Sequence, residues 1–208
     1  MNLVIIGASG LAREVFDLAI ICYGSLPNFK IKGFLSDGPS QIESMGYPKV
    51  LNTVAGYDLV PDDVFFCAIG NVLDRKKTVD IILSKGGKFI NLIHPSSIIS
   101  PSVKIGTGVA IKAFCSVASD VFIGDFTYIQ SSVIIGHDVQ IGQFCQINSF
   151  SFFAGFCKVN NLCSISAGAK LVQKTVVEEE AIVGMGSVVL TRVKKGTTVF
   201  GIPAKRLL

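Results

Sequence analysis

The hydrophobic positions of this chain repeat with a period of six residues along nearly half of its length. From Ile93 to Val189 every sixth residue is apolar, and sixteen of these seventeen anchor positions hold Ile, Val or Leu. A mostly small or β-branched residue stands two positions before each anchor, and several anchors are followed directly by Gly. This period fits neither an amphipathic helix nor a half-buried strand. It predicts a parallel β-helix in which each hexapeptide supplies one short strand and one corner, and the anchors point inward.

The first 90 residues show alternating strand and helix patterns instead. The predicted elements are strand Leu3–Ile6, a helix after Gly10, strand Lys32–Leu35, strand Val64–Ile69, helix Asp74–Leu83 and a short strand Lys88–Ile90. A strand, a Gly turn and a helix in this order open a βαβ unit. We therefore predict an α/β Rossmann-like domain over residues 1–90, followed by an all-β parallel β-helix over residues 91–208.

The turn between the first strand and the first helix is a candidate ligand loop. Gly7 and Gly10 let a ligand approach the backbone closely, and the free N–H groups of the helix N-terminus favour an anion. Asp37 follows the second strand, where a Rossmann-like sheet meets a ribose hydroxyl. The full GxGxxG fingerprint is absent because Ala12 stands at its third glycine. A tight turn without a ligand, a nucleotide diphosphate site and an NAD-linked oxidoreductase all remain open, although the last would need a substrate domain with acid and base groups.

Composition narrows the class of protein. Apolar residues make up 50% of the chain and charged residues only 16%, which indicates a soluble, core-rich protein. The net charge of +4 comes without a basic block, so we expect no nucleic-acid partner. No apolar run is long enough for a membrane span, and the N-terminus does not resemble a signal peptide. The six cysteines form no CxxC pair, so we expect no metal site and reduced core thiols in a cytoplasmic protein.

Only two histidines are available for acid–base chemistry. His94 precedes Pro95 at the domain junction, where a structural role is favoured over a catalytic one. His137 follows the anchor Ile135 by two residues, so it lies in a corner and faces outward. Imidazole is a natural base near neutral pH, and the neighbouring Asp138 is suited to orient the ring.

Three segments resemble one family. IIGASGLAREV, GHDVQIG and IVGMGSVVLTRVKKGTTVFGIPAK are similar, in order, to the Gly-rich start, the catalytic His motif and the closing segment of hexapeptide-repeat nucleotide-sugar N-acetyltransferases of the sialic-acid and bacillosamine type. The resemblance spans nearly the whole chain. It implies a left-handed β-helix with three hexapeptides per coil and a homotrimer. It also implies that acetyl-CoA lies between neighbouring β-helices.

The resemblance also implies the site residues. His137 would be the general base and Asp138 its partner, and Gln146 stands where the family often has a second His. The cofactor-binding residues it implies are Gln146, Gly155, Gly184, Gly186, Gly201, Pro203 and Lys205. The substrate-binding residues it implies are Gly7, Ser9, Gly10, Asp37, Gly70 and Asn71.

The expected function is acetyl-CoA-dependent N-acetylation of a nucleotide-linked amino sugar for surface polysaccharide, such as lipopolysaccharide O-antigen, or glycan biosynthesis. An O-acyltransferase or a transferase for longer acyl chains on the same scaffold is the alternative enzyme. A non-catalytic trimer that binds a nucleotide sugar is the alternative from another class. A zinc hydratase on a β-helix would need three His per metal, and two histidines do not supply them.

Overall fold

The computed structural model describes residues 1–207 and divides into two compact units between Leu92 and Ile93. The last residue of the second predicted domain, Leu208, lies outside the described residues. Each unit has its own buried core and is described separately below.

The first unit is a parallel sheet with two helices. Its elements are β1 Asn2–Ile6, α1 Gly10–Tyr23, β2 Lys30–Leu35, a 3₁₀ turn Glu43–Met45, β3 Val50–Asn52, β4 Asp63–Cys67 and α2 Val72–Ser84. The strand order is β3-β2-β1-β4, and every pair is parallel. Strand β1 is central and buried over Leu3–Ile6, as expected for a parallel sheet covered on both faces.

One strand of this unit was not predicted, and one predicted strand is wrong. The structure contains β3, which the sequence pattern did not reveal, at the edge of the sheet beside β2. The predicted strand Lys88–Ile90 is reduced to a single bridge between Phe89 and Phe65. Each segment is too short to show a periodicity of its own.

The second unit is a parallel β-helix. Its strands are β5 Leu92–Ile93, β6 Ile98–Ile99, β7 Lys104–Ile105, β8 Ala110–Ile111, β9 Ser116–Val117, β10 Phe122–Ile123, β11 Tyr128–Ile129, β12 Ile134–Ile135, β13 Gln140–Ile141, β14 Gln146–Ile147, β15 Phe152–Phe153, β16 Lys158–Val159, β17 Ser164–Ile165, β18 Lys170–Leu171, β19 Val176–Val177, β20 Ile182–Val183, β21 Val188–Val189, β22 Thr198–Phe200 and β23 Lys205–Arg206. They form three sheets of eight, six and five strands, named here sheet B, sheet C and sheet D.

Each coil of the β-helix takes 18 residues and visits the sheets in the order B, C, D. Ile135 pairs with Val117 on one side and with Phe153 on the other, so each anchor stacks on the anchors of the adjacent coils. From Val109 to Val199 the inward residues form one continuous apolar core. Phe153, the one aromatic anchor, is fully buried. A repeat that cannot bury its own apolar face is thus stabilised by its neighbours.

The corners share one backbone conformation. In most of them, the third residue after the anchor has a positive φ, for example 59° at Asp138 and 61° at Phe156. Gly occupies this position at Gly108, Gly168 and Gly186. Five corners instead hold a phenylalanine there: Phe114, Phe126, Phe144, Phe150 and Phe156. Such a conformation is uncommon for a bulky residue, and nothing in the repeat pattern predicts it.

Small polar side chains two positions before the anchors connect adjacent corners. Each donates a hydrogen bond to the main-chain carbonyl fifteen residues further on, as Thr127 Oγ1 does to Gly142 at 2.7 Å and Cys157 Sγ does to Val172 at 3.1 Å. The side chains that do so are Ser97, Cys115, Thr127, Cys145, Ser151, Cys157 and Cys163. The four buried β-helix cysteines therefore act as hydrogen-bond donors as well as core residues.

Candidate active site

His137 lies at the corner between β12 and β13. Gly136 N donates to Phe153 O at 2.8 Å, which fixes the start of the corner. The His137 side chain is 55% exposed, so its ring faces outward as the repeat position predicts. The corner thus presents an imidazole on a rigid backbone.

The neighbouring carboxylate sets the tautomer of this imidazole. Asp138 Oδ2 lies 2.8 Å from His137 Nδ1. A carboxylate only accepts hydrogen bonds, so the neutral ring carries its proton on Nδ1 and leaves the Nε2 lone pair unprotonated. That is the state in which a histidine accepts a proton from a nucleophile.

Gly155 lies against the same imidazole from the adjacent coil. A Cβ atom on Gly155 would fall 2.7 Å from both Cε1 and Nε2 of His137, so only glycine leaves room for the ring there. The carbonyl of Gly155 accepts a hydrogen bond from Lys174 N, whereas its N–H has no acceptor among residues 1–207. A free N–H beside the base is suited to stabilise a developing oxyanion.

Gln146 does not join this corner within one chain. It lies on strand β14 of sheet B, whereas His137 lies between sheets C and D. Its side chain is buried, and Nε2 donates to Asn148 Oδ1 at 3.2 Å. This contact gives Gln146 a structural role, and its predicted cofactor contact stays a prediction.

The closing segment also lies away from His137, around the last coils of sheet B. Gly184 and Gly186 form the corner after β20, and a Cβ on Gly184 would clash with the ring of Phe200. Gly201 N donates to Ser187 Oγ, and Pro203 follows a cis peptide bond. Lys205 lies on β23, exposed, in an antiparallel pair with β22.

In the first unit, the predicted substrate residues gather at the carboxyl ends of β1, β2 and β4. Gly7 follows β1 with a φ of 104°, and a Cβ there would fall 2.9 Å from Ala68 O, so glycine is required for this close approach. Ser9 is the N-cap of α1 but makes no capping hydrogen bond, and Gly10 begins the helix. The first turn of α1 contains no acidic residue, so its positive end is not neutralised by the chain itself.

The other predicted substrate residues are already used by the fold. Asp37 Oδ1 accepts a hydrogen bond from Val54 N at 2.8 Å. The Asn71 side chain caps α2 by accepting from the N–H groups of Leu73 and Asp74, and Gly70 precedes it at an exposed position. These contacts shape the loops that border the α1 turn.

Arg13 is a candidate that the sequence reasoning missed. It lies one turn into α1, and its guanidinium comes close to Gly10 and to Met45 Sδ. A small cavity of about 100 Å³ opens between this arginine, Ser9 and the loop that carries Gln41. The sequence feature that could have revealed Arg13 is a basic residue in the first turn of a helix, where a cation is unfavourable unless an anion binds.

Comparisons with known proteins match both units. Residues 2–82 match the family model described as the PglD N-terminal domain, and residues 89–183 match the one described as the GMPPB C-terminal domain. GDP-perosamine N-acetyltransferase from Escherichia coli is 30% identical over 137 residues, which are 66% of this chain and 54% of that protein. The chain thus spans about half the length of this curated relative.

Solved structures match over nearly their whole length. PerB from Caulobacter crescentus, in complex with CoA and GDP-perosamine, has a TM-score of 0.87 and 28% identity over 100% of this chain and 97% of that one. The acetyltransferase domain of PglB from Neisseria gonorrhoeae has a TM-score of 0.88 and 28% identity over 99% of each chain. The resemblance to the hexapeptide-repeat nucleotide-sugar N-acetyltransferases is confirmed.

These matches also confirm the predicted fold class, an α/β Rossmann-like domain followed by a left-handed parallel β-helix. Left-handed coils are an exception to the usual right-handed crossover of parallel strands.

A larger cavity of about 620 Å³ lies at the opposite edge of the sheet, beside the amino end of β4, and is lined by residues such as Pro61 and Lys85. Within the described chain, His, Cys, Asp and Glu side chains form no group of three or more that could hold a metal. Neither described helix has the length and apolar character needed to cross a membrane.

Proposed function

We propose that this protein transfers the acetyl group of acetyl-CoA to the amine of a nucleotide-linked amino sugar, for surface polysaccharide or glycan biosynthesis. Of the relatives described above, one is named GDP-perosamine N-acetyltransferase, one is an acetyltransferase domain, and the third is PerB in complex with CoA and GDP-perosamine. The proposal extends that activity to this chain. The arrangement of His137, Asp138 and Gly155 is the observation that carries it.

In the proposed step, the sugar amine attacks the thioester carbonyl of acetyl-CoA. His137 Nε2 takes a proton from the amine as the new C–N bond forms, and Asp138 stabilises the resulting imidazolium through Nδ1. The N–H of Gly155 donates to the oxyanion of the tetrahedral intermediate. The C–S bond then breaks, and the imidazolium returns the proton to the leaving thiolate.

The first unit would hold the nucleotide of the sugar donor. The uncapped N-terminus of α1, the Ser9 hydroxyl and the Arg13 guanidinium together offer donors to a diphosphate. Gly10 lines the cavity beside Arg13 without a side chain, Gly7 allows the tight turn beside Ala68, and Gly70 lies near Leu11 at the start of α1. Asp37 and Asn71 act by shaping the adjacent loops.

We also propose a homotrimer in the cytoplasm. Gln146, Gly184, Gly186, Gly201, Pro203 and Lys205 lie on sheet B or at its end, and only a neighbouring copy could bring such residues to the corner that holds His137. CoA bound between copies would contact the sheet B residues of one copy and the His137 corner of its neighbour. The four buried cysteines of the β-helix donate hydrogen bonds from their thiols to main-chain carbonyls, a use of the reduced form that supports a reducing compartment.

The test is release of CoA thiol from acetyl-CoA with a panel of GDP-, UDP- and dTDP-linked amino sugars. Wild type, His137→Ala and His94→Ala are compared side by side, because His94 is the only other histidine. We expect turnover with one donor, a loss of at least about 100-fold in His137→Ala, and near wild-type turnover in His94→Ala.

The alternatives make different predictions in the same assay. Rapid release with a hydroxyl-bearing sugar that lacks an amine would favour O-acylation. Release only with longer acyl-CoA donors would favour another acyl chain. Nucleotide-sugar binding without release from any donor would contradict the enzyme and favour a non-catalytic binding protein.

A further inference from the structure

A third group contacts the imidazole of His137 besides Asp138 and Gly155. The rings of Phe156 and His137 lie 5.0 Å apart between centroids and are perpendicular to each other. Aromatic pairs favour this edge-to-face geometry at this distance. The imidazole is therefore bordered by a carboxylate at Nδ1, a glycine at Cε1 and Nε2, and an aromatic ring.

Main-chain geometry fixes Phe156 to His137. Phe156 N donates to His137 O at 3.0 Å, and the two corners stack on successive coils of the β-helix. The position of the phenyl ring is thus tied to the residue whose ring it contacts. A rigid element of this kind holds a functional group better than a loop does.

Neither conformational preference nor burial explains a phenylalanine at this position. Its φ of 61° costs roughly 1–2 kcal/mol for a residue with a Cβ, and Gly or Asn would avoid most of that cost. The side chain remains 47% exposed, unlike the buried and stacked rings of Phe126 and Phe144. Phe114 and Phe150 are also exposed at such corners, and the feature that distinguishes Phe156 is its ring contact with His137.

We propose that Phe156 is a positioning residue for His137. It limits rotation of the imidazole, so that Nδ1 stays on Asp138 and Nε2 stays directed at the space beside the Gly155 N–H. The inference rests on the proposed function for its catalytic consequence. Its structural half, the orientation of the ring, stands on the geometry alone.

The test compares Phe156→Leu with Phe156→Tyr and with a matched control, Phe114→Leu. Phe114 has the same position in its hexapeptide, at a corner between sheets B and C, with a φ of 62°; it is exposed and lies beside His94 rather than His137. Leu is compatible with this conformation because Leu162 adopts a φ of 60° in an equivalent corner. Phe156→Asn is a second variant that suits the left-handed conformation if the Leu variant folds poorly.

Two readouts are measured on each variant. The first is the kcat and the KM for acetyl-CoA. We expect Phe156→Leu and Phe156→Asn to lower kcat about tenfold with little change in KM, because a misaligned base slows the chemical step. Phe156→Tyr should restore most of the rate, and Phe114→Leu should match wild type.

The second readout is the NMR signal of each histidine Cε1–H, which needs no turnover. The chain has two histidines, so each reports on one phenylalanine. Phe156→Leu should shift the His137 signal and leave His94 in place, since the ring current of Phe156 is lost. Phe114→Leu should leave His137 in place.

Different results would contradict the positioning role of Phe156 and the proposed acetyl transfer. An unshifted His137 signal in Phe156→Leu, or a kcat equal to that of Phe114→Leu, would overturn the positioning role even if the enzyme is active. Absence of acetyl transfer by wild type would overturn the proposed function, whereas the NMR comparison would still decide whether the Phe156 ring lies against His137.

Discussion

At the scale of single residues, the absence of a side chain at Gly155 makes room for the His137 ring. Gly155→Ala should displace the ring, since its Cβ would lie 2.7 Å from Nε2. A displacement of about 1 Å is worth about 100-fold in rate, so we expect a loss of that size in kcat. The assay is the thiol-release measurement with the active donor.

A double-mutant cycle on stability checks the cause of that loss. Gly155→Ala should lower the free energy of unfolding in wild type, but much less in a His137→Ala background, where the clashing ring is gone. An equal destabilisation in both backgrounds would show that the alanine disturbs the corner itself rather than the imidazole.

The buried thiols give a second prediction at this scale. Cys157 Sγ donates to Val172 O, and the equivalent positions hold Thr127, which makes the same bond, and Val139, which makes none. Cys157→Thr should therefore be more stable than Cys157→Val by about 1 kcal/mol, because the two variants have the same shape and differ in one donor. Urea unfolding of both measures the difference, and equal stabilities would contradict a role for the hydrogen bond.

At the scale of elements, sequence patterns located most strands and helices because periodicity reports burial. The hexapeptide anchors placed the β-helix strands, since a slip by one residue would move each anchor out of the core. The edge strand β3 was not predicted because it is three residues long and pairs with β2 through a register irregularity. The positive φ of the corner phenylalanines was not predicted, because the repeat pattern indicates a sharp turn and not which side chain occupies it.

The candidate site was predictable only in part, for the same kind of reason. The sequence pointed to His137 because a corner position and an adjacent acid are local features. The contact between Phe156 and His137 depends on side-chain orientation on successive coils, and the Arg13 position depends on how a distant loop folds over α1. The structural uses of Asp37 and Asn71 depend likewise on three-dimensional contacts.

A partly buried ion pair links strands β2 and β4 of the first unit. Asp63 on β4 accepts hydrogen bonds from Tyr57 Oη at 2.6 Å and from Lys32 Nζ on β2 at 2.9 Å. Burial alone would raise the pKa of Asp63, but the hydrogen bonds from Tyr57 and Lys32 and the lysine charge hold it below its ordinary value. The carboxylate is therefore favoured in the folded state.

The lowered pKa of Asp63 determines how the stability of the first unit depends on pH. The contribution of Asp63 is fully present above the unfolded-state pKa of about 3.9 and is lost as the pH falls through the lower folded-state pKa. Asp63→Asn should be less stable than wild type by about 2 kcal/mol at pH 7, and the gap should narrow in strong acid. Urea unfolding across this pH range measures the gap, with Asp62→Asn as an exposed neighbouring control. A gap independent of pH would contradict the account.

At the scale of the whole molecule, the β-helix faces differ in what they expose. The outward positions of sheet C include Ile98, Ile134 and Phe152, all exposed, and the last two are direct neighbours on β12 and β15. The outward positions of sheet D are mostly polar, with Lys104 and Gln140 on either side of Phe122. Exposed apolar surface of this kind marks an interaction site, so sheet C is the face we expect to pack in the proposed trimer.

A lysine introduced on sheet C or on sheet D tests which of the two faces packs in the trimer. Wild type should have three times the 22.1 kDa mass of the chain by light scattering, and Ile134→Lys should dissociate because an unpaired charge is costly to bury. Phe122→Lys on sheet D should stay assembled. If residues from two copies complete the acetyl-CoA site, dissociated Ile134→Lys should lose turnover and still bind the nucleotide through its first unit. A wild type that is monomeric and active would contradict the trimer and would require all of the cofactor contacts to come from one chain.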